Sequence, residues 1–89
     1  MSDGRTILVT GGSGFIGSAV VRLLLAETGW RVVNLDKLTY AANPLALEGA
    51  EHNPRYCFER ACVADADAVR AILARHRPDA VMHLAAETH

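Results

Sequence analysis

Gly11, Gly12, Gly14 and Gly17 crowd together directly behind Thr6-Ile-Leu-Val-Thr10. Glycines grouped in this way let the main chain turn tightly and bring its N–H groups close to a ligand with no side chain between. A helical apolar pattern begins at once behind them. The first N–H groups of such a helix have no partner within it, and the positive end of its dipole faces the turn. The chemistry on offer is the holding of a phosphate or pyrophosphate. Gly12-x-Gly14-x-x-Gly17 meets the general dinucleotide pattern, which gains weight from following a strand and opening a helix. Asp36 lies roughly 20 residues beyond the last glycine, at the end of a second strand-like run, where its carboxylate can accept hydrogen bonds from both hydroxyls of an adenosine ribose. A 2′-phosphate would meet a like charge there, so the pattern favours NAD over NADP, with Lys37 as the opposing charge alongside. The alternative is a glycine-rich βα turn that holds no ligand.

The remaining reactive residue types offer less. Cys57 and Cys62 are too few for a disulfide framework and read as reduced thiols that pack as small hydrophobes. His52, His76, His83 and His89 fall at no metal-ligand spacing. His83 sits inside an apolar run and is expected to be a packed, hydrogen-bonded core residue. Glu87 follows the end of a strand, where open α/β folds place ligands, and reads as a structural or cofactor-orienting group rather than an acid or base. Tyr40 and Tyr56 have no lysine four residues on, and Lys37 is the sole lysine.

These residues need a scaffold, and the apolar periodicity supplies one. Thr6 to Thr10 is continuously apolar in its middle, as suits a parallel strand buried on both faces. A helix is expected from about Gly14 to Glu27, with Ile16, Val20, Leu23 and Leu24 as its inward stripe, Ser18, Arg22 and Glu27 off it, and Gly29 as its stop. Arg31 to Asp36 is the second strand. Asn43-Pro44 can open a short helix carrying Leu45, Leu47 and Ala50, and Asn53-Pro54 breaks it. A third strand is expected around Tyr56 to Glu59. Asp65 can cap a helix whose Val69, Ile72, Leu73 and His76 share one side, with Arg75, His76 and Arg77 at its negative end and Pro78 as its stop. Asp79 to Leu84 is the fourth strand. The order β-α-β-α-β-α-β predicts the α/β class: a Rossmann-type parallel sheet with right-handed crossovers, in its N-terminal half.

The 89 residues allow one small domain, and 51% hydrophobic content is enough for a core. A net charge of −1 with interspersed signs excludes a nucleic-acid or anionic-membrane surface of the basic type. No apolar run reaches spanning length, and the N-terminus lacks the apolar core of a signal peptide. A cytoplasmic protein is expected.

Longer segments carry a resemblance. Thr10-Gly-Gly-Ser-Gly-Phe-Ile-Gly17 resembles the Thr-Gly-x-x-Gly-x-x-Gly signature of the extended short-chain dehydrogenase/reductases, in which Gly11, Gly14 and Gly17 would be the glycines that matter. Asp36-Lys-Leu-Thr-Tyr40, Asn53-Pro-Arg-Tyr56 and His76-Arg-Pro-Asp79-Ala-Val-Met-His-Leu-Ala-Ala-Glu-Thr-His89 are similar to the dTDP-glucose 4,6-dehydratase branch of that family, over about residues 6 to 89. The resemblance implies NAD as cofactor, with Gly11, Gly14, Phe15 and Ile16 along the pyrophosphate and Gly17 bringing the helix close to the strands. It implies Asp36, Lys37, Leu38 and Thr39 around the adenosine ribose. Leu84, Ala85, Ala86, Glu87 and Thr88 would run under the nicotinamide half, with Thr88 also touching the sugar nucleotide. Cys62-Val63 stands where the family has an aspartate followed by Ile or Val. Cys62 is a poor acceptor for the adenine amino group, leaving Val63 to pack on the ring, with Asp65 or a backbone group as the alternative acceptor.

The implied parent protein is an NAD-dependent lyase that oxidises dTDP-glucose or a related nucleotide sugar at C4, eliminates water, and returns the hydride to C6. Its Tyr-x-x-x-Lys pair and its sugar-binding region are missing from residues 1–89. This chain therefore reads as a partial NAD-binding Rossmann domain, a truncated piece without dehydratase activity of its own, from a parent expected to be a homodimer. Another NAD-dependent epimerase or decarboxylase, or a non-catalytic dinucleotide sensor, remains open. A reading frame running past His89 into a Tyr-x-x-x-Lys helix would exclude the sensor.

Overall fold

The computed structural model of the chain describes residues 4–11, 15–37 and 50–84. Its elements are β1 (Thr6–Thr10), α1 (Phe15–Glu27), β2 (Arg31–Asp36), a single 3-10 turn (Ala50–His52), β3 (Tyr56–Arg60), α2 (Ala66–His76) and β4 (Ala80–His83). The four strands form one parallel sheet in the order β3-β2-β1-β4. The chain thus steps outward from β1 through β2 to β3, then crosses back to the other side of β1. This is the Rossmann-type α/β arrangement expected. The short helix expected after Asn43-Pro44 falls within residues 38–49, outside the described residues; the 3-10 turn follows that segment.

The absence of alternation in β1 has a direct cause: both faces of the strand are covered. Ile7 and Val9 point to one side and pack with Val21, Leu25, Val32 and Ala50. Leu8 points to the other and packs with Val33, Leu35 and Ile72. α1 therefore covers one face and α2 the other. Each fully buried aliphatic side chain here contributes about 1.5–3 kcal/mol of transfer free energy. The amino ends of β1 and β4 are clamped, because the Thr6 N–H donates to Asp79 Oδ2 at 2.8 Å and the Asp79 N–H to Thr6 O at 2.7 Å.

Helix ends are closed by side chains. At the carboxyl end of α1 the Arg55 guanidinium donates to the carbonyls of Leu25, Thr28 and Trp30 at 2.7 to 3.0 Å. A cation is well placed there, where carbonyls lack helical partners and the dipole is negative. At the start of α2 Asp65 Oδ1 accepts from the Ala68 N–H at 3.1 Å, the expected N-cap. Arg77 ends α2 in the left-handed region (φ 48°), with its N–H on Leu73 O.

Two expectations are corrected. The inward face of α1 is Ser18, Val21 and Leu25, with the expected Leu24 half-buried against the same cluster, while Ile16 and Leu23 are 67% and 59% exposed. An apolar helix such as Phe15–Glu27 offers several stripes, and the small Gly17 and Ser18 near its start are buried. His83 is exposed rather than packed in the core, because β4 is an edge strand among the described residues. Its neighbour on the same face, Val81, is 56% exposed as well. No helix among the described residues is long and apolar enough to cross a membrane.

Candidate functional site

Parallel strands deliver their carboxyl ends to one edge of the sheet, and the register puts the candidate residues on a common level there. Thr10 pairs with Leu35 of β2 and with His83 of β4. The next residues, Gly11, Asp36 and Leu84, accordingly stand side by side. In open α/β sheets this edge, at the point where strand order reverses, is where ligands bind. Here the reversal lies between β1 and β4.

Gly11 extends the ladder by one bond, its N–H donating to Leu35 O at 2.9 Å. Its φ of +75° then turns the chain out of the sheet. A Cβ would resist that conformation. Since its N–H is already committed to β2, Gly11 can serve a phosphate through its bare Cα and the direction of the turn. α1 resumes at Phe15, so its amino end lies at the same edge. Gly17 and Ser18 are buried in its first turns, and Ile16 projects outward. Gly14 lies outside the described residues, as does the side chain of Phe15.

Asp36 closes β2 and is half-buried. The pleat puts it on the same side as Val32 and Asn34, which is the α1 side. Below it the fully buried Asn34 donates from Nδ2 to the Tyr56 hydroxyl at 3.0 Å. The Ala61 N–H donates to Asp36 O at 3.2 Å, tying the end of β3 to it. Lys37 is exposed. Leu38 and Thr39 lie outside the described residues.

Beyond β3, Cys62 and Val63 are half-buried. Val63 packs on the Leu8, Val33, Leu35 and Ile72 cluster, and Cys62 O accepts from the Asp65 N–H at 2.9 Å. The Asp65 carboxylate is engaged as the cap of α2, which weighs against it as the adenine acceptor.

At β4 the Leu84 N–H donates to both Thr10 O and Thr10 Oγ1 at 3.0 Å, and that hydroxyl lies 2.7 Å from His83 Nδ1. That hydroxyl donates to Nδ1 in the tautomer that carries its proton on Nε2, and accepts from Nδ1–H in the other. The sequence reading missed this link; its signal is the parallel register of two strands that both end in polar residues. Ala85, Ala86, Glu87 and Thr88 lie outside the described residues. Tyr56 is no candidate for proton transfer at this edge, because it begins β3 at the opposite end of the sheet.

Gly11 with positive φ, a helix amino end with Gly17 and Ser18 buried, and an acid on the helix side of the next strand fit the phosphate and ribose of a dinucleotide. A family model described as the NAD dependent epimerase/dehydratase family matches residues 7–89. A dTDP-glucose 4,6-dehydratase of Haemophilus influenzae is 57% identical over 83 residues, 93% of this chain and 25% of that protein. One from Escherichia coli K12 is 59% identical over 93% of this chain and 23% of its own length. The solved structure of a dTDP-glucose 4,6-dehydratase from Streptomyces venezuelae, with NAD and a thymidine nucleotide bound, is 41% identical. It superposes with a TM-score of 0.84, over 96% of this chain and 27% of that one. The chain thus spans about a quarter of the length of the curated relatives it matches.

Proposed function

Because the chain belongs to the NAD dependent epimerase/dehydratase family, we propose that it forms the NAD-binding part of a dTDP-glucose 4,6-dehydratase. The observation that carries this reading is the pairing of the Gly11 turn with Asp36 on one level of the sheet, in a chain 57% identical to such an enzyme over 83 residues. When bound, NAD supplies a reversible hydride acceptor. Gly11, Gly14, Phe15 and Ile16 line its pyrophosphate, and Gly17 keeps the helix amino end within reach. Asp36 accepts from the ribose hydroxyls, with Lys37, Leu38 and Thr39 around them. Cys62, Val63 or a nearby backbone group borders the adenine. Leu84, held beside Gly11 by Thr10, leads into Ala85, Ala86, Glu87 and Thr88 under the nicotinamide half. Thr88 also meets the sugar nucleotide, dTDP-glucose. A cytoplasmic, homodimeric parent protein completes the proposal.

Calorimetric titration of the chain with NAD and NADP tests the cofactor assignment. Saturable 1:1 binding of NAD with weaker binding of NADP is expected; equal affinities, or none for NAD, would overturn it. The dehydratase assignment is tested at the gene. A reading frame that continues beyond His89 into a Tyr-x-x-x-Lys pair supports it, and a stop codon there favours a dinucleotide sensor.

A further inference from the structure

Away from the carboxyl edge, the α2 side of the sheet brings together three side chains that sequence spacing keeps apart. Cys57 and Glu59 alternate on β3 and so share a face. The last residue of α2, His76, comes down on that face. His76 Nε2 lies 2.6 Å from Glu59 Oε2 and 4.0 Å from Cys57 Sγ. One ligand atom from each residue falls within 4.8 Å of the other two. The Glu59 and His76 side chains are 18% and 9% exposed, so the group is sheltered but reachable from solvent. We propose that Cys57, Glu59 and His76 form a site for a zinc-like divalent cation that fastens the carboxyl end of α2 to β3.

The donor set is one of sulfur, nitrogen and oxygen, the mixture that suits zinc and its neighbours rather than magnesium or calcium. Tetrahedral zinc with bonds of about 2.0–2.3 Å holds its ligand atoms about 3.3–3.7 Å apart. The Cys57–His76 separation of 4.0 Å is near that range, and the Glu59–His76 pair must open from 2.6 Å by a side-chain adjustment. Three protein donors leave the fourth position to water.

Binding requires the thiol to lose its proton to solvent and the neutral imidazole to carry its proton on Nδ1. Burial, and then the Glu59 charge, raises the Cys57 thiol above its ordinary pKa, so without a metal it stays protonated. The Glu59 carboxyl is held below the usual range, first by the His76 hydrogen bond, and is already charged. Arg75 Nη1 also reaches Glu59 Oε2 at 2.6 Å and competes for it, but its side chain is 59% exposed and can withdraw into water. This site is independent of NAD and does not share its residues.

Co2+ serves as the spectroscopic probe. Titration of the full chain should give a thiolate-to-cobalt charge-transfer band that saturates at one equivalent and is displaced by Zn2+. Cys57→Ser and His76→Gln should abolish the band, and Cys62→Ser should keep it. No band in the unsubstituted chain, or loss in Cys62→Ser with retention in Cys57→Ser, would overturn the proposal. A second measurement needs no variant: Zn2+ should protect Cys57 from iodoacetamide while Cys62 still reacts, as read by peptide mass. Equal protection of both thiols, or of neither, would overturn it as well.

Discussion

The two helices cover opposite faces of one sheet and are held there by different means. α1 is fixed mainly by shape, with Arg55 closing its carboxyl end. Val21 and Leu25 sink between Ile7, Val9 and Val32, and Gly17 and Ser18 near its amino end are buried. α2 buries Ile72 and lays the half-buried Val69 on the same cluster, and it is held further by directed polar contacts. Asp65 caps one end, while His76 and Arg75 grip Glu59 at the other. The difference bears on how firmly each helix is placed. Close packing sets the height of a helix above a sheet better than flexible ion pairs do, and the helix held that way is the one that starts beside the Gly11 turn. The polar anchor at the carboxyl end of α2 is open to other chemistry.

The largest effects should separate the two stripes of α1. Leu25→Ala removes a side chain only 7% exposed, whereas Leu23→Ala removes one that is 59% exposed. Urea unfolding of the chain should show a loss of about 2–5 kcal/mol for the first and within about 0.5 kcal/mol for the second. Similar losses for both would place the buried face of α1 elsewhere. At the carboxyl edge, Asp36→Ala should lower NAD affinity by about 1.5–3 kcal/mol, the range for a hydrogen bond to a charged group, which is roughly 10- to 150-fold. Discrimination against NADP should relax at the same time. An unaltered ratio of the two affinities would remove Asp36 from the ribose.

How much of this was legible in the sequence depended on whether the partners were neighbours along the chain. The glycine turn, the strand ending in Asp36 and the cap at Asp65 are local, and the structure puts the described parts of each where residue order implies. The buried face of α1 was only partly legible: Leu24 does pack on the core, but Ile16, Val20 and Leu23 compete with Val21 and Leu25 for the role, and the small Ser18 gives no hydrophobic signal. His83 misled because an apolar strand says nothing of whether it lies at an edge. Cys57, Glu59 and His76 were unreadable as a group: no metal-ligand spacing relates them, and they meet only because the crossover from β3 through α2 returns the helix end to the strand.

The α2 anchor can be taken apart one polar contact at a time. Asp65→Ala removes the N-cap and should cost about 1 kcal/mol, visible as a lower urea midpoint with an unchanged slope. Asp65→Asn should recover most of that loss, since an amide oxygen can accept the same bond from the Ala68 N–H.

Arg75→Ala should have the smallest effect on stability and the most informative effect on binding. The Arg75 side chain is 59% exposed, so its short contact with Glu59 is screened by water and restrained at an entropic cost. Pairs of that kind contribute about 0–1 kcal/mol, and the His76 hydrogen bond to the same oxygen remains. The unfolding midpoint should therefore barely move. If Glu59, His76 and Cys57 take up a cation, however, removing the neighbouring guanidinium deletes both a like charge and a competitor for Oε2. Cobalt affinity should then rise while stability in chelator stays level. A marked loss of stability with no change in cobalt affinity would show that Arg75 itself is the anchor of α2, and that its contact with β3 is an ion pair rather than one side of a metal site.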